Sequence, residues 1–200
     1  MIMKSLAIER QFGSGGREIG KMVAKMAGIP YYDGELMVKA ARSRGVSLDL
    51  LKEYDEQKTG SILYNIALFA NYNQDSRQSK IYSLFTELQK TIQSLELQGP
   101  AVFIGRCSTE IFHENPRVVK GYIYSSENED RLRRIVKTEH VARKDAEKMM
   151  EKKDRQRREY FKFWTGKKWE SRDNYDLELN TSTISPSKCA ELLLEAMKQS

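Results

Sequence analysis

One stretch constrains this chain more than any other: Arg10-Gln-Phe-Gly-Ser-Gly-Gly-Arg-Glu-Ile-Gly20. The apolar run Ser5-Leu-Ala-Ile8 before it reads as a strand. After it, Ile19, Met22, Val23 and Met26 recur at helical spacing. A strand, a glycine-rich turn and a helix make a phosphate-binding arrangement. Gly13, Ser14, Gly15 and Gly16 let the backbone bend tightly and present bare N–H groups. The helix start adds its dipole and its unpaired donors.

The loop departs from the regular P-loop, G-x-x-x-x-G-K-[ST]. With Gly15 as the last loop glycine, Gly16 stands where that pattern has its lysine. Arg17 is the nearest substitute for the lysine, although a planar guanidinium differs from an ammonium point charge. Glu18 is a first-turn acid that favours the helix dipole. Ser14 is a candidate phosphate or metal contact. A second register, Gly15 to Lys21, formally satisfies G-x-x-x-x-G-K. It puts Met22 at the hydroxyl position and turns Glu18 and Ile19 into loop, so the first register is preferred. A dinucleotide G-x-G-x-x-G fails, because Glu18 occupies its last glycine position.

The rest of the chain alternates strands and helices, which predicts an α/β fold with a central parallel sheet between helical layers. Strands are expected over about residues 4–9, 29–32, 101–104, 118–124 and 175–180, with a turn at Gly105-Arg106-Cys107 after the third and helical patterns after the others. Gly28 reads as a helix stop, Asp33 as an N-cap for a helix through Arg42, and Ser47 as the cap of another through about Gln57. A short apolar helix is expected near residues 62–70 and a long one over 81–97, ended by Gly99-Pro100. Ser125 or Ser126 reads as a cap, and Ser185-Pro186 opens the last helix.

Charge is unevenly placed. The net charge is +6, and residues 143–168 hold eleven Lys/Arg against five Asp/Glu, so the whole excess lies in one helical stretch. Such a face is either solvated or a surface for phosphates. Two cysteines and two histidines at these positions make neither a disulfide framework nor a zinc spacing, and no metal-ligand residues are singled out. No apolar run reaches membrane length and no leader pattern opens the chain, so the expectation is a cytoplasmic protein without a membrane partner.

Five stretches together resemble cytidylate kinases, in the cytidylate-kinase-like branch of the P-loop nucleoside monophosphate kinases. They are residues 8–20, Tyr31-Tyr-Asp-Gly-Glu-Leu-Met37, Phe103-Ile-Gly-Arg-Cys107, Asp154-Arg-Gln-Arg157 and Tyr175-Asp-Leu-Glu-Leu-Asn-Thr-Ser182. The resemblance implies a kinase that moves the γ-phosphoryl of ATP to a nucleoside monophosphate, CMP by default, with Mg2+ accompanying ATP. It implies one domain of three parts: a core (about 1–42, 99–142 and 170–200), a helical acceptor-binding insertion (about 43–98) and a basic lid (about 143–169). Gly13, Ser14, Gly15, Gly16, Arg17 and Glu18 would hold ATP. Asp33, Lys39 and Arg106 would hold the acceptor, with Arg42 as a backup. Arg17, Arg106, Arg155, Arg157 and Arg158 would neutralise charge during transfer, and Asp154 would orient a neighbouring arginine. Asn180, Thr181 and Ser182 would lie near adenine. Lys39 stands where the family has an arginine, and Ile104 and Cys107 replace acids around Arg106. Three rival readings stay open: a non-catalytic nucleotide sensor, a kinase of another small molecule, and, least expected, a nucleic-acid binder using the basic helix and its aromatics.

Overall fold

In the computed structural model, residues 3–43 and 76–198 are described. Strand β1 (Ser5–Arg10) lies at the centre of a five-stranded sheet. Helix α1 (Gly16–Ala27), strand β2 (Tyr31–Tyr32) and helix α2 (Gly34–Ser43) follow it. Next come α3 (Ser76–Leu97), β3 (Val102–Ile104), the short α4 (Ser108–Ile111) and β4 (Val118–Tyr124). Helices α5 (Asn128–Glu139) and α6 (Arg143–Thr165), strand β5 (Leu177–Asn180) and helix α7 (Pro186–Lys198) complete the chain. The strand order is β2-β3-β1-β4-β5, and every pairing is parallel. The α/β layering expected from the alternation of strands and helices is therefore present. The expected helices at Ser47–Gln57 and near 62–70 lie outside the described residues.

A parallel sheet needs cover on both faces, so its strands are apolar along their length. The two-residue period of β1 sorts its side chains. Leu6 and Ile8 pack with Ile19 and Val23 of α1 and Leu193 and Met197 of α7. Ala7 faces the other way, with Leu88, Ile92 and Leu95 of α3 and Phe103 and Phe112. Leu132 and Ile135 of α5 meet Ala146 and Met150 of α6, with Phe12 of the glycine loop packed against them.

The end signals act mostly as read. Gly28 and Gly166 adopt left-handed conformations at the ends of α1 and α6. Asp33 caps α2 through its Oδ1, which accepts from the amides of Glu35 and Leu36 at 3.2 and 3.1 Å. The Ser185 hydroxyl accepts from the Lys188 amide at 3.3 Å at the start of α7. The α5 start is corrected: Glu127 occupies the cap position, without a side-chain bond. Ser125 instead joins the ends of β4 and β5, its hydroxyl 2.6 Å from that of Ser182. Because all strands run the same way, the turns after β1, β3 and β4 emerge on one edge, where open α/β sheets place ligands.

Candidate active site

The turn after β1 is glycine-rich for two separate reasons. Gly13 and Gly15 have φ of 78° and 85°, a left-handed backbone that side chains resist. At Gly13 and Gly16 space is also missing: a Cβ would come within 2.8 Å of the Arg131 carbonyl oxygen and 2.6 Å of the Arg10 Cβ, respectively. Gly15 immediately precedes α1, so the helix N-terminus opens onto the turn. Ser14 is fully buried. Its hydroxyl donates to the Gln11 carbonyl at 2.9 Å, and its own carbonyl accepts from the Thr181 hydroxyl at 2.9 Å. That hydroxyl shapes the turn.

Three guanidiniums hold the first half of the turn by its carbonyls. Arg157 Nη1 donates to Arg10 at 2.7 Å, Arg131 Nε to Phe12 at 2.8 Å and Arg134 Nη1 to Gly13 at 2.5 Å. Asp154 Oδ1 accepts from the Phe12 amide at 2.7 Å, while Oδ2 pairs with Arg131 Nη2. The Arg157 guanidinium also lies 5.5 Å from the Phe12 ring centroid.

A second set of arginines lies on the β3 and α2 side of the turn. The Arg10 side chain crosses Gly105, where a Cβ would stand 2.2 Å from Nη1; Arg106 covers Gly34, where a Cβ would stand 2.7 Å from Nε. Arg17 donates to Asp33 Oδ2 at 2.6 Å. Burial pushes the Arg10 pKa down; Glu9 and Tyr31 oppose the shift, and the guanidiniums of Arg106 and Arg17 add to it. Burial and the nearby Arg10 push Arg157 down to about 9. Guanidiniums are cationic in proteins, so this side of the turn gathers positive charge beside buried groups, the setting in which an anion is bound strongly.

Two carboxylates answer that charge differently. Glu9 is buried; desolvation raises its pKa against Arg10 and an indole bond from Trp169 Nε1 at 3.2 Å. Its Oε1 has no hydrogen-bond partner. Burial also opposes ionisation of Asp33, but the amides of Leu36 and Glu35 and the Arg17 guanidinium hold its pKa below the usual range. After β3, Arg106 and Cys107 take the left-handed backbone at φ 59° and 55°, which is strained for side-chain-bearing residues. Burial, then the nearby Glu9, pushes the Cys107 thiol well up, so it is a packed neutral group.

The expected site residues are thus unevenly gathered. Gly13 to Arg17, Asp33, Arg106 and Arg157 meet at one edge of the sheet. Arg155 and Glu18 are exposed, and Arg158 faces Glu170 at 2.6 Å. Lys39 pairs with Glu35 one turn earlier, at 2.9 Å on the exposed side of α2. The helix begins at Gly16 and Ile19 is fully buried, as the preferred register requires; Lys21 Nζ sits 5.8 Å from the Tyr31 ring centroid. Arg10, Arg131 and Arg134 escaped the sequence reading. The signal for Arg131 was its place four residues before Ile135, inside the apolar stripe of α5.

Residues 5–183 match the cytidylate kinase-like family. The chain belongs to that family. Among solved structures, an uncharacterized protein from Eubacterium ventriosum superposes with a TM-score of 0.73 at 24% identity, covering 98% of both chains. Shikimate kinase from Bacteroides thetaiotaomicron gives 0.53 at 10% identity, over 98% of this chain and 99% of that one. A gluconokinase from Sinorhizobium meliloti gives 0.52 at 10% identity, over 98% and 92%. Among curated proteins none matches the chain. The fold is the α/β fold of P-loop kinases, and no helix among the described residues is long and apolar enough to cross a membrane.

Proposed function

We propose that this protein transfers the γ-phosphoryl group of ATP to a small phosphorylated acceptor, a nucleoside monophosphate of the CMP type. The observation that carries this reading is the convergence of Arg10, Arg17, Arg106 and Arg157 beside the glycine turn. Phosphoryl transfer asks a protein for in-line positioning and positive charge around the moving group, with little covalent chemistry.

The N–H groups at Gly13 to Arg17 would receive the donor phosphates at the helix N-terminus. Arg106, steadied over Gly34, would hold the acceptor phosphate with Arg10 behind it. Arg157 would neutralise the group in passage. Magnesium would supply charge neutralisation between the phosphates. Among the described residues no group of three or more His, Cys, Asp or Glu side chains is placed to hold a metal ion, and the ion is expected from the chemistry of ATP. Helix α6 would serve as the lid and residues 43–98 as the acceptor-binding insertion. Phe85 of α3 stacks on Trp164 of α6 at 3.8 Å, which joins the two. Closure would keep water from the γ-phosphoryl.

A second reading, a kinase of a non-nucleotide phosphorylated or carboxylated molecule, draws on the flanks of Arg106. Ile104 and Cys107 are buried apolar groups that offer nothing to read a base. The test is ATP consumption against CMP, UMP, dCMP, AMP and a panel of small phosphate esters and carboxylates. Turnover with a nucleoside monophosphate is expected. Turnover only with the other compounds would select the second reading, and none with any acceptor would remove both.

A further inference from the structure

We infer that Arg131 and Asp154 form a buried positioning pair that ties the docking of α6 to the shape of the phosphate turn. The two side chains come from different helices, 23 residues apart, and both are buried, Arg131 at 5% and Asp154 at 3% exposure. Each spends a second bond on the same residue of the turn. Arg131 Nε donates to the Phe12 carbonyl at 2.8 Å, and Asp154 Oδ1 accepts from the Phe12 amide at 2.7 Å. Phe12 is thus gripped by both of its backbone polar groups, immediately before Gly13.

An ion pair taken out of water is costly unless its remaining donors and acceptors are satisfied. Here the satisfying groups are the backbone of the turn itself. If α6 moved away carrying Asp154, Arg131 would lose its carboxylate and the Phe12 amide its acceptor in one event. The turn and the helix therefore change state together. Gly13 transmits this geometry: a Cβ there would lie 2.8 Å from the Arg131 carbonyl oxygen and 2.9 Å from Ile135, so the turn rests directly on α5. Arg157, one helical turn after Asp154, reaches the Arg10 carbonyl from the same face of α6 at 2.7 Å. The pair touches no reacting atom in this arrangement and acts through the turn.

The coupling rests on the kinase reading only for its consequence in nucleotide affinity; the mechanical link stands apart from it. The test uses the full chain with Asp154→Asn and, separately, Arg131→Met. Amide hydrogen exchange read across residues 12–16 should accelerate by about tenfold or more relative to the sheet amides, the size expected when a buried hydrogen-bonded group loses its partner. ADP binding by calorimetry should weaken by a similar factor, with CMP affinity within about twofold of the parent. Arg131→Lys should recover part of the loss only if charge, rather than the fork, holds the pair. Unchanged exchange over residues 12–16 in a folded variant would overturn the proposal. So would a fall in thermal stability accompanied by unaltered ADP affinity. Should the parent chain bind no nucleotide, the kinase reading falls, and the exchange measurement still decides the link. If one of Asp154→Asn and Arg131→Met does not fold, the other carries the same exchange measurement.

Discussion

Two sets of arginines flank the glycine turn, and they are satisfied in different ways. Arg131, Arg134 and Arg157 reach from α5 and α6 and donate to the carbonyls of residues 10–13. Arg10, Arg17 and Arg106 lie toward β3 and α2, where Arg10 faces Glu9 and Arg17 faces Asp33. On the first side the bonds are made to backbone and to the buried Asp154, so Arg131 and Arg134 fix geometry, while Arg157 belongs to both sides, bonded to the Arg10 carbonyl and destabilised by the Arg10 guanidinium. On the second side like charges crowd one another, and Arg10 is destabilised by burial and by its neighbours. A dianionic phosphate would relieve that crowding. The lesson is that an arginine near a phosphate turn is assigned by what already occupies its donors, not by its distance along the chain.

The largest expected effect breaks the receiving side. Arg106→Met should lower the transfer rate by about a hundredfold to a thousandfold, as for removal of a charge-stabilising donor, while the unfolding midpoint stays near that of the parent. Steady-state kinetics with varied acceptor reads it. A variant as active as the parent would mean that Arg106 receives nothing. Arg17→Ala and Lys21→Ala sharpen the same side: transfer should fall with the first and persist with the second, and the reverse would favour the Gly15–Lys21 register.

Next comes the turn between the sides. Gly13→Ala adds left-handed strain and a collision with the Arg131 backbone and Ile135, and should cost about 2–4 kcal/mol in urea unfolding. Gly15→Ala adds comparable strain, but its nearest neighbour is the Arg134 side chain at 3.4 Å, so about 1–2 kcal/mol is expected. Equal costs would show that the α5 contact at Gly13 is not tight.

The carboxylates should give opposite pH responses. Glu9 has a raised folded pKa, so its contribution is complete below the ordinary carboxylate value near about 4 and is lost as pH rises through the raised value. Glu9→Gln should therefore gain stability relative to the parent on going from acid to neutral pH. Asp33 has a lowered folded pKa, and its contribution is present above the ordinary value and lost as pH falls through the depressed one. Asp33→Asn should accordingly lose its deficit in acid. Unfolding midpoints from pH 3 to 8 would show the two slopes, and parallel slopes would contradict the assigned causes.

The smallest effects lie on the outer faces. Lys39→Ala removes an exposed pair with Glu35 and should cost about 0.3–0.5 kcal/mol, and Arg155→Ala less than about 0.5 kcal/mol. A large loss of transfer from Arg155→Ala, without loss of stability, would bring that residue into the site and redraw the comparison.

Local chemistry made much of this legible in the sequence. Apolar runs bounded by glycine and proline marked β1, β3 and β4, because a strand covered on both faces has no polar side to show. Gly13 to Gly16 marked the turn, since few residues adopt that backbone. The charge excess marked α6, but composition has no direction: it grouped Arg155, Arg157 and Arg158, and the helical period sends them to different sides. Residues 44–75, where two further helices were expected, lie outside the described part.

By itself, then, the sequence determined the layers, the glycine turn and the family, because each depends on spacing along the chain and on backbone freedom. Only the tertiary structure decided which arginines meet. Phe12, Arg131 and Asp154 are separated by 119 residues and by 23, and the bonds that Arg131 and Asp154 make to the turn go to main-chain atoms that carry no side-chain signature. The tight backbone of the turn was written in its glycines. Its shape is held by helices that arrive much later in the chain.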